Sequence, residues 1–375
     1  MNLCPWLGLM AMALVVLSSA PARAQGMATP DRIEAHAWWP RKGTPPRAEY
    51  LGPAACARCH STQTATQAQT SMARTATRAE DSRVLRAREN LHVRLSGYDY
   101  RIQTRGGRST YSVSREGRSL SVPLGFAFGA GKVGQTYLYE HEQRFYESRV
   151  SYFDALGALD YTPARALAAP KDLEEAAGRQ VDDAEARRCF GCHTAASTTE
   201  GAFDVARSMP GVTCEACHGP GARHVAAAAQ GRLEEARLAI SNPRPFDPAA
   251  SVDFCGACHS TWWDVTLAGE KGIAALRSQP FRLQGSRCWG EGDHRITCTA
   301  CHDPHQPLVK DGPAYDVRCA SCHVAGPAKA GRTASPRTCS VGTRDCASCH
   351  MPKYAVPGMH FEFTDHQIRV VREKP

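Results

Sequence analysis

These 375 residues contain no Walker loop and no G-x-S-x-G elbow, and no dinucleotide fingerprint is read after a strand, which sets aside nucleotide-driven and serine-hydrolase chemistry. Past the first two dozen residues there is no apolar stretch long enough to cross a bilayer, so the mature chain is expected to be soluble, without a membrane span. No dense run of Lys and Arg occurs, so the formal charge of +8 does not read as a nucleic-acid footprint. Residues 189–350 have little continuous apolar periodicity and many Gly and Pro, so that half cannot build an ordinary aliphatic core. Something other than side chains must fill it.

What the chain does have is Cys-x-x-Cys-His, seven times: Cys56, Cys59 and His60; Cys189, Cys192 and His193; Cys214, Cys217 and His218; Cys255, Cys258 and His259; Cys298, Cys301 and His302; Cys319, Cys322 and His323; Cys346, Cys349 and His350. Two cysteines at this spacing each form a thioether with one porphyrin, and the adjacent histidine takes the proximal position on its iron. A lone CxxC suits a zinc ribbon or a redox dithiol, but such sites do not need a histidine after every pair. Seven covalent haem c groups with their iron are therefore expected. The motifs consume 14 of 17 cysteines and leave Cys4, Cys288 and Cys339.

Residues 1–24 carry an apolar run from Trp6 to Val16 and end Ala22-Arg23-Ala24, the pattern of a cleaved secretory signal. The product is expected in the periplasm or otherwise exported, where Cys288 and Cys339 could pair as a disulfide. Cys4 leaves with the signal. Each haem brings two propionates against one ferric positive centre, which carries the holoprotein close to neutrality, and scattered Arg reads as propionate partners.

Motif starts are separated by 133, 25, 41, 43, 21 and 27 residues, so six sites crowd into 189–350 and one stands apart. The expected organisation is a Pro-rich arm over 25–50, the first haem site with a β-rich insert over 51–161, and a six-haem region over 162–375. Alternation in His92 to Leu95, Tyr98 to Thr104, Tyr111 to Ser114, Ser119 to Val122 and Phe145 to Tyr152, punctuated by Gly106-Gly107 and Glu116-Gly117, predicts short strands and hairpins. Helices are predicted over Lys171 to Arg188 and Ala222 to Ile240. The fold class expected is mainly α and irregular, organised by haem, with a small β-rich insert, and the apo chain should not fold stably.

Eight further histidines compete for the sixth iron position. His224 and His305, six and three residues after their motifs, are expected to serve a neighbouring haem. His360 and His366 lie in the tail, His294 precedes the fifth motif, His92 and His141 fall on the insert, and His36 lies in the arm, where a surface role is equally in view. Met72, on a helix predicted after the first motif, is either core filler or a ligand that would raise that haem's potential.

The segment Gly211-Val212-Thr213-Cys214-Glu215-Ala216-Cys217-His218-Gly219-Pro220-Gly221, with His224, resembles the family that includes the tetrahaem cytochrome accepting electrons from hydroxylamine oxidation, as does the opening Tyr50 to His60. Cys298 to His305, and Cys346 to Pro352 followed by Thr364-Asp365-His366, are similar to doubled-CXXCH cytochromes. Gly129 to Lys132 with Thr136-Tyr137-Leu138 looks like the β insert of heptahaem members, and Ser286-Arg287-Cys288 implies a structural role for Cys288. The resemblance spans residues 50–366. It implies a heptahaem c-type cytochrome exchanging electrons with redox protein partners. Three functions stay open: a carrier; a reductase of a small nitrogen or sulfur oxyanion at one open haem, against which the absence of any CxxCK site counts; and a subunit of a filament, for which Trp38-Trp39 and Trp262-Trp263 could serve interfaces or pack on haem edges. The oligomeric state is not legible.

Overall fold

The computed structural model describes residues 45–163, 168–269, 272–289, 295–323, 339 and 341–371. The signal segment, most of the arm, Trp38-Trp39, His36 and His294 lie outside them.

The expectation of a mainly helical chain is overturned: it is about 36% helical and 25% strand, built on one antiparallel sheet of ten strands. These are β1 (Ala76–Arg78), β2 (Asn90–Leu95), β3 (Tyr98–Arg105), β4 (Arg108–Arg115), β5 (Arg118–Phe128), β6 (Gly134–His141), β7 (Arg144–Ser148), β8 (Val150–Phe153), β9 (Ala158–Tyr161) and β10 (Gly178–Val181). The main order is β10-β7-β6-β5-β4-β3-β2, with β1 on β5, and β8 on β6 and β9. The alternation read from sequence does place strands β2 to β5. The sheet is larger than an insert because flanking segments join it: β1 pairs Ala76 to Phe128, and β10 pairs Gly178 to Ser148.

Hairpin turns set the register. Gly106-Gly107 and Glu116-Gly117 take positive φ at both central positions (56° and 79°; 53° and 77°), the turn form whose twist matches that of paired strands. With period two, Tyr98, Tyr100 and Ile102 of β3 and Tyr111 and Val113 of β4 point inward against Val122, Tyr137, Tyr139, Val150 and Leu173. This half has a side-chain core of its own.

The helix predicted over Lys171 to Arg188 is interrupted. Asp172 caps Leu173–Ala177, β10 follows, and Asp182 caps Asp183–His193. The break falls at Gly178, where any Cβ would stand 2.1 Å from the Glu147 carbonyl oxygen. Arg179 then bridges Glu147 on β7 and Glu185 on the next helix. Ala222 to Ile240 likewise divides into Ala222–Ala229 and Leu233–Leu238. A G-x-G-x-x-G does follow a strand, contrary to the sequence reading, at Gly129 to Gly134 after β5. It leads into β6, so no helix N-terminus stands there to receive a pyrophosphate.

Candidate haem sites

A helical turn is what the motif needs, because cysteines at i and i+3 and histidine at i+4 then share one face. All seven motifs sit on such turns. They lie within or just after Pro53–Ala57, Asp183–His193, Cys214–His218, Pro248–His259, Cys298–Cys301, Asp316–His323 and Cys346–His350.

The motifs come together as three pairs and one single. Cys56 and Cys214 lie close enough for each thiol to act on the other, which drives the Cys56 pKa up and brings Cys214 down to about 7. Cys255 and Cys298 do the same, Cys255 going up and Cys298 down to about 7. Cys319 and Cys346 are the third couple whose thiols act on one another. Each pair is tied by one side chain of one motif helix, or its flank, to backbone N–H groups at the other. Glu215, 1% exposed, accepts from Leu51 N (2.9 Å) and Gly52 N (2.7 Å), and from its own Gly221 N (2.8 Å). Ser251 Oγ accepts from Cys298 N at 3.1 Å. Asp316 accepts from Asp345 N at 2.6 Å and Cys346 N at 2.9 Å. The first motif, 133 residues from the second in sequence, thus lies in space against the third.

The unpaired second motif is anchored to the sheet instead. Phe190, between its cysteines and fully buried, packs edge-on against Phe126 (4.8 Å) and Phe128 (5.2 Å) at the end of β5. Cys192 Sγ reaches the Ala257 carbonyl of the fourth motif at 3.5 Å.

Gly211 fixes the approach between the first and third motifs. It holds φ of +83°, and a Cβ there would stand 2.0 Å from the Ala73 carbonyl oxygen, while Val212 N donates to the Met72 carbonyl at 2.9 Å. Gly211→Ala is therefore expected to cost at least ~2 kcal/mol, read as a lowered denaturation midpoint of the holoprotein.

Three non-motif histidines face motif histidines. Ring centres are 6.3 Å apart for His60 and His224, 6.0 Å for His218 and His305, with planes only 7° apart, and 6.2 Å for His302 and His366. Two metal–imidazole bonds of about 2.0 Å end to end, with each ring centre ~1.2 Å behind its donor nitrogen, require ~6.4 Å. The outer nitrogens are fixed by the fold. Nδ1–H donates to a backbone carbonyl in His218 (Ser241, 2.7 Å), His224 (Ala236, 2.8 Å), His350 (Arg369, 2.9 Å) and His366 (Thr364, 3.0 Å). His193 Nδ1 lies 2.7 Å from Thr75 Oγ1. A ligand imidazole held this way keeps Nε2 for metal. Burial pushes the His366 pKa down to about 4 and also lowers those of His218 and His302, which favours the neutral ligating form.

The other candidates stand elsewhere. His224, not Met72, is across from His60. His92 lies on the outer face of β2 with Nε2 3.1 Å from Asp99. His141, at the end of β6, lies beside Glu142 and Tyr146. His360 bonds Asp160 of β9 at 2.8 Å and packs on Phe153. It also lines a cavity of about 700 Å³ with Lys310, Lys353 and Glu362. No disulfide joins Cys288 to Cys339, and Cys288 is near enough to Cys301 to act on its thiol electrostatically.

Among the described residues no three His, Cys, Asp or Glu side chains converge on a metal-sized point. A tetrahedral zinc site needs that convergence. A haem brings four nitrogens of its own and asks the protein for axial donors only, so opposed pairs of imidazoles fit haem.

Cys-x-x-Cys-His motifs on helical turns, with imidazoles opposed in pairs, fit a c-type cytochrome with covalently bound haem. Residues 151–219, from β8 through the third motif, match the cytochrome c554 and c-prime family. The fold is similar to that of the outer cell wall cytochrome OcwA, with a TM-score of 0.50 and 16% identity over 86% of this chain and 80% of that one. No curated protein matches the sequence significantly. No helix among the described residues is long and apolar enough to cross a membrane.

Proposed function

We propose that the protein is an exported, periplasmic electron carrier with seven covalently bound haems, exchanging electrons with separate donor and acceptor proteins. The observation that carries this is the set of three imidazole pairs at 6.0 to 6.3 Å, each joining a motif histidine to one from elsewhere in the chain. Residues 1–24 support export. Haem c supplies an iron that gains and loses one electron. The polypeptide would supply the rest: His60 with His224, His218 with His305 and His302 with His366 would hold the haem irons, backbone carbonyls would orient those imidazoles, and the three motif pairs would bring neighbouring haems together.

Haem quantitation as the pyridine complex, with intact mass, is expected to give seven equivalents per chain; far fewer would end this reading. His224→Ala is expected to leave that number unchanged, because both thioethers of the first site remain. Low-temperature paramagnetic resonance should then show the loss of one low-spin His/His centre and one new high-spin ferric signal.

A further inference from the structure

His193, the last residue of the helix Asp183–His193, is held by a residue that belongs to no motif. Its Nδ1 lies 2.7 Å from the Thr75 hydroxyl oxygen and 3.1 Å from the Thr75 carbonyl oxygen. A carbonyl can only accept, so the ring proton sits on Nδ1, and the hydroxyl, which could otherwise donate, accepts from it as well. Both oxygens of one residue share one proton. His218, His224, His350 and His366 each give theirs to a backbone carbonyl, a partner that a substitution leaves in place. At His193 a side chain takes part.

Thr75 is itself fixed on both sides. Its N–H donates to the Met72 carbonyl at 3.2 Å, and its carbonyl accepts from Gly129 N at 2.7 Å. Gly129, at φ +105°, is confined to glycine, because a Cβ there would stand 2.4 Å from the Gly134 carbonyl oxygen. Ala76, the next residue after Thr75, pairs with Phe128, whose ring meets the His193 ring edge-on at 5.2 Å. The join of β1 to β5 therefore sets the orientation of this imidazole. The segment that does so follows the first motif, and its Met72 and Ala73 are the residues that meet Val212 and Gly211.

We propose that Thr75 is a positioning residue for the haem site at His193: its hydroxyl, added to its carbonyl, keeps Nε2 for the iron and draws the Nδ1 proton outward, which lowers the reduction potential of that site. Drawing the proton outward leaves more negative charge on the ring, and that charge favours ferric over ferrous iron. The inference rests on the seven-haem reading above. It goes further by placing control of one site's potential in a side chain 118 residues from the ligand it acts on.

The test uses the purified holoprotein, with haem counted first and the midpoint potentials resolved by spectroelectrochemical titration. Thr75→Val removes the hydroxyl and keeps a β-branched side chain of similar volume. It is expected to leave the haem count unchanged, to move one midpoint potential upward and to shift the g-values of one ferric centre, the other centres staying in place. Thr75→Ser restores a hydroxyl and should bring that potential back toward the parent's. In a Cys189→Ala, Cys192→Ala background, which lacks the thioethers of this site, Thr75→Val should move no potential. Unchanged or lowered potentials in the valine variant, or a serine variant that shifts as far as the valine one, would overturn the inference. A shift that survives in the double-cysteine background would overturn its assignment to His193. If that background does not mature, the valine and serine proteins decide the question by themselves. A double-cysteine protein that keeps the parent's haem count would instead overturn the reading underneath.

Discussion

Glu215→Ala is expected to cost the holoprotein about 3–5 kcal/mol, a large share of the ~5–15 kcal/mol of an ordinary domain, because one deletion strands three backbone donors. Leu51 N and Gly52 N lead into the first motif and Gly221 N leaves the third, and all three donate to this one buried carboxylate at 2.7 to 2.9 Å. Gly52 N and Gly221 N are themselves buried, so water cannot replace the lost acceptor without opening the joint. The damage should be local in its chemistry: the approach of the first motif to the third loosens, and His224 loses its alignment on His60. Denaturant midpoints of the holoprotein, with the low-spin signal of the first site followed alongside, check this. Glu215→Gln keeps one carbonyl oxygen as an acceptor and should recover part of the loss. A midpoint within about 0.5 kcal/mol of the parent for the alanine variant would show that the joint is held by other contacts.

Glu215 was visible in the sequence only as the second residue of a Cys-Glu-Ala-Cys-His string, with nothing to mark it as the link to a motif more than 150 residues away. The motif half of each site is local, since two cysteines and a histidine fit on one helical turn, and that arrangement can be read from the sequence. Pairing is not local: the first motif reaches the third across the whole sheet, and no short-range pattern encodes that reach. The sheet divides in the same way. Strands β2 to β4 announce themselves by alternation and glycine turns, whereas β10 lies in Ala177-Gly178-Arg179-Gln180-Val181, which suits a helix until the Glu147 carbonyl excludes a Cβ at Gly178. His92 could have been placed from its strand alone, since Leu91 faces the core and period two turns its neighbour to solvent. Nothing comparable marks His360, whose partner Asp160 lies two hundred residues earlier.

Asp365→Ala is expected to turn the site at His302 from low-spin to high-spin and to cost about 2–4 kcal/mol, because Asp365 is the fastening that presents His366. Its side chain is 1% exposed and takes a forked pair of bonds from Arg282, Nε at 2.8 Å and Nη2 at 2.7 Å, with Arg369 as a second cation. Its Oδ1 also accepts from Gln367 N at 2.9 Å, so the chain is gripped on both sides of His366. Without the carboxylate, Arg282 is left as a half-buried, unpaired cation, and the tail is held to its helix chiefly by Ser286, which donates to the His366 carbonyl and accepts from Ile368 N. Burial works to raise the Asp365 pKa, but the bonds from Arg282, Gln367 N and Arg369 outweigh it and hold the carboxyl below its ordinary value. A carboxylate depressed on folding contributes stability that is fully present above its unfolded pKa, about 3.9, and is lost as pH falls through the lower folded value. The parent should therefore keep the His302 site low-spin through neutral and mildly acidic solution and release it only at still lower pH. Asp365→Asn should weaken the fastening at every pH and flatten that acid-side loss. A paramagnetic-resonance titration of the three proteins reads both effects, and an alanine variant that keeps the parent's low-spin centres at neutral pH would remove Asp365 from any part in positioning His366.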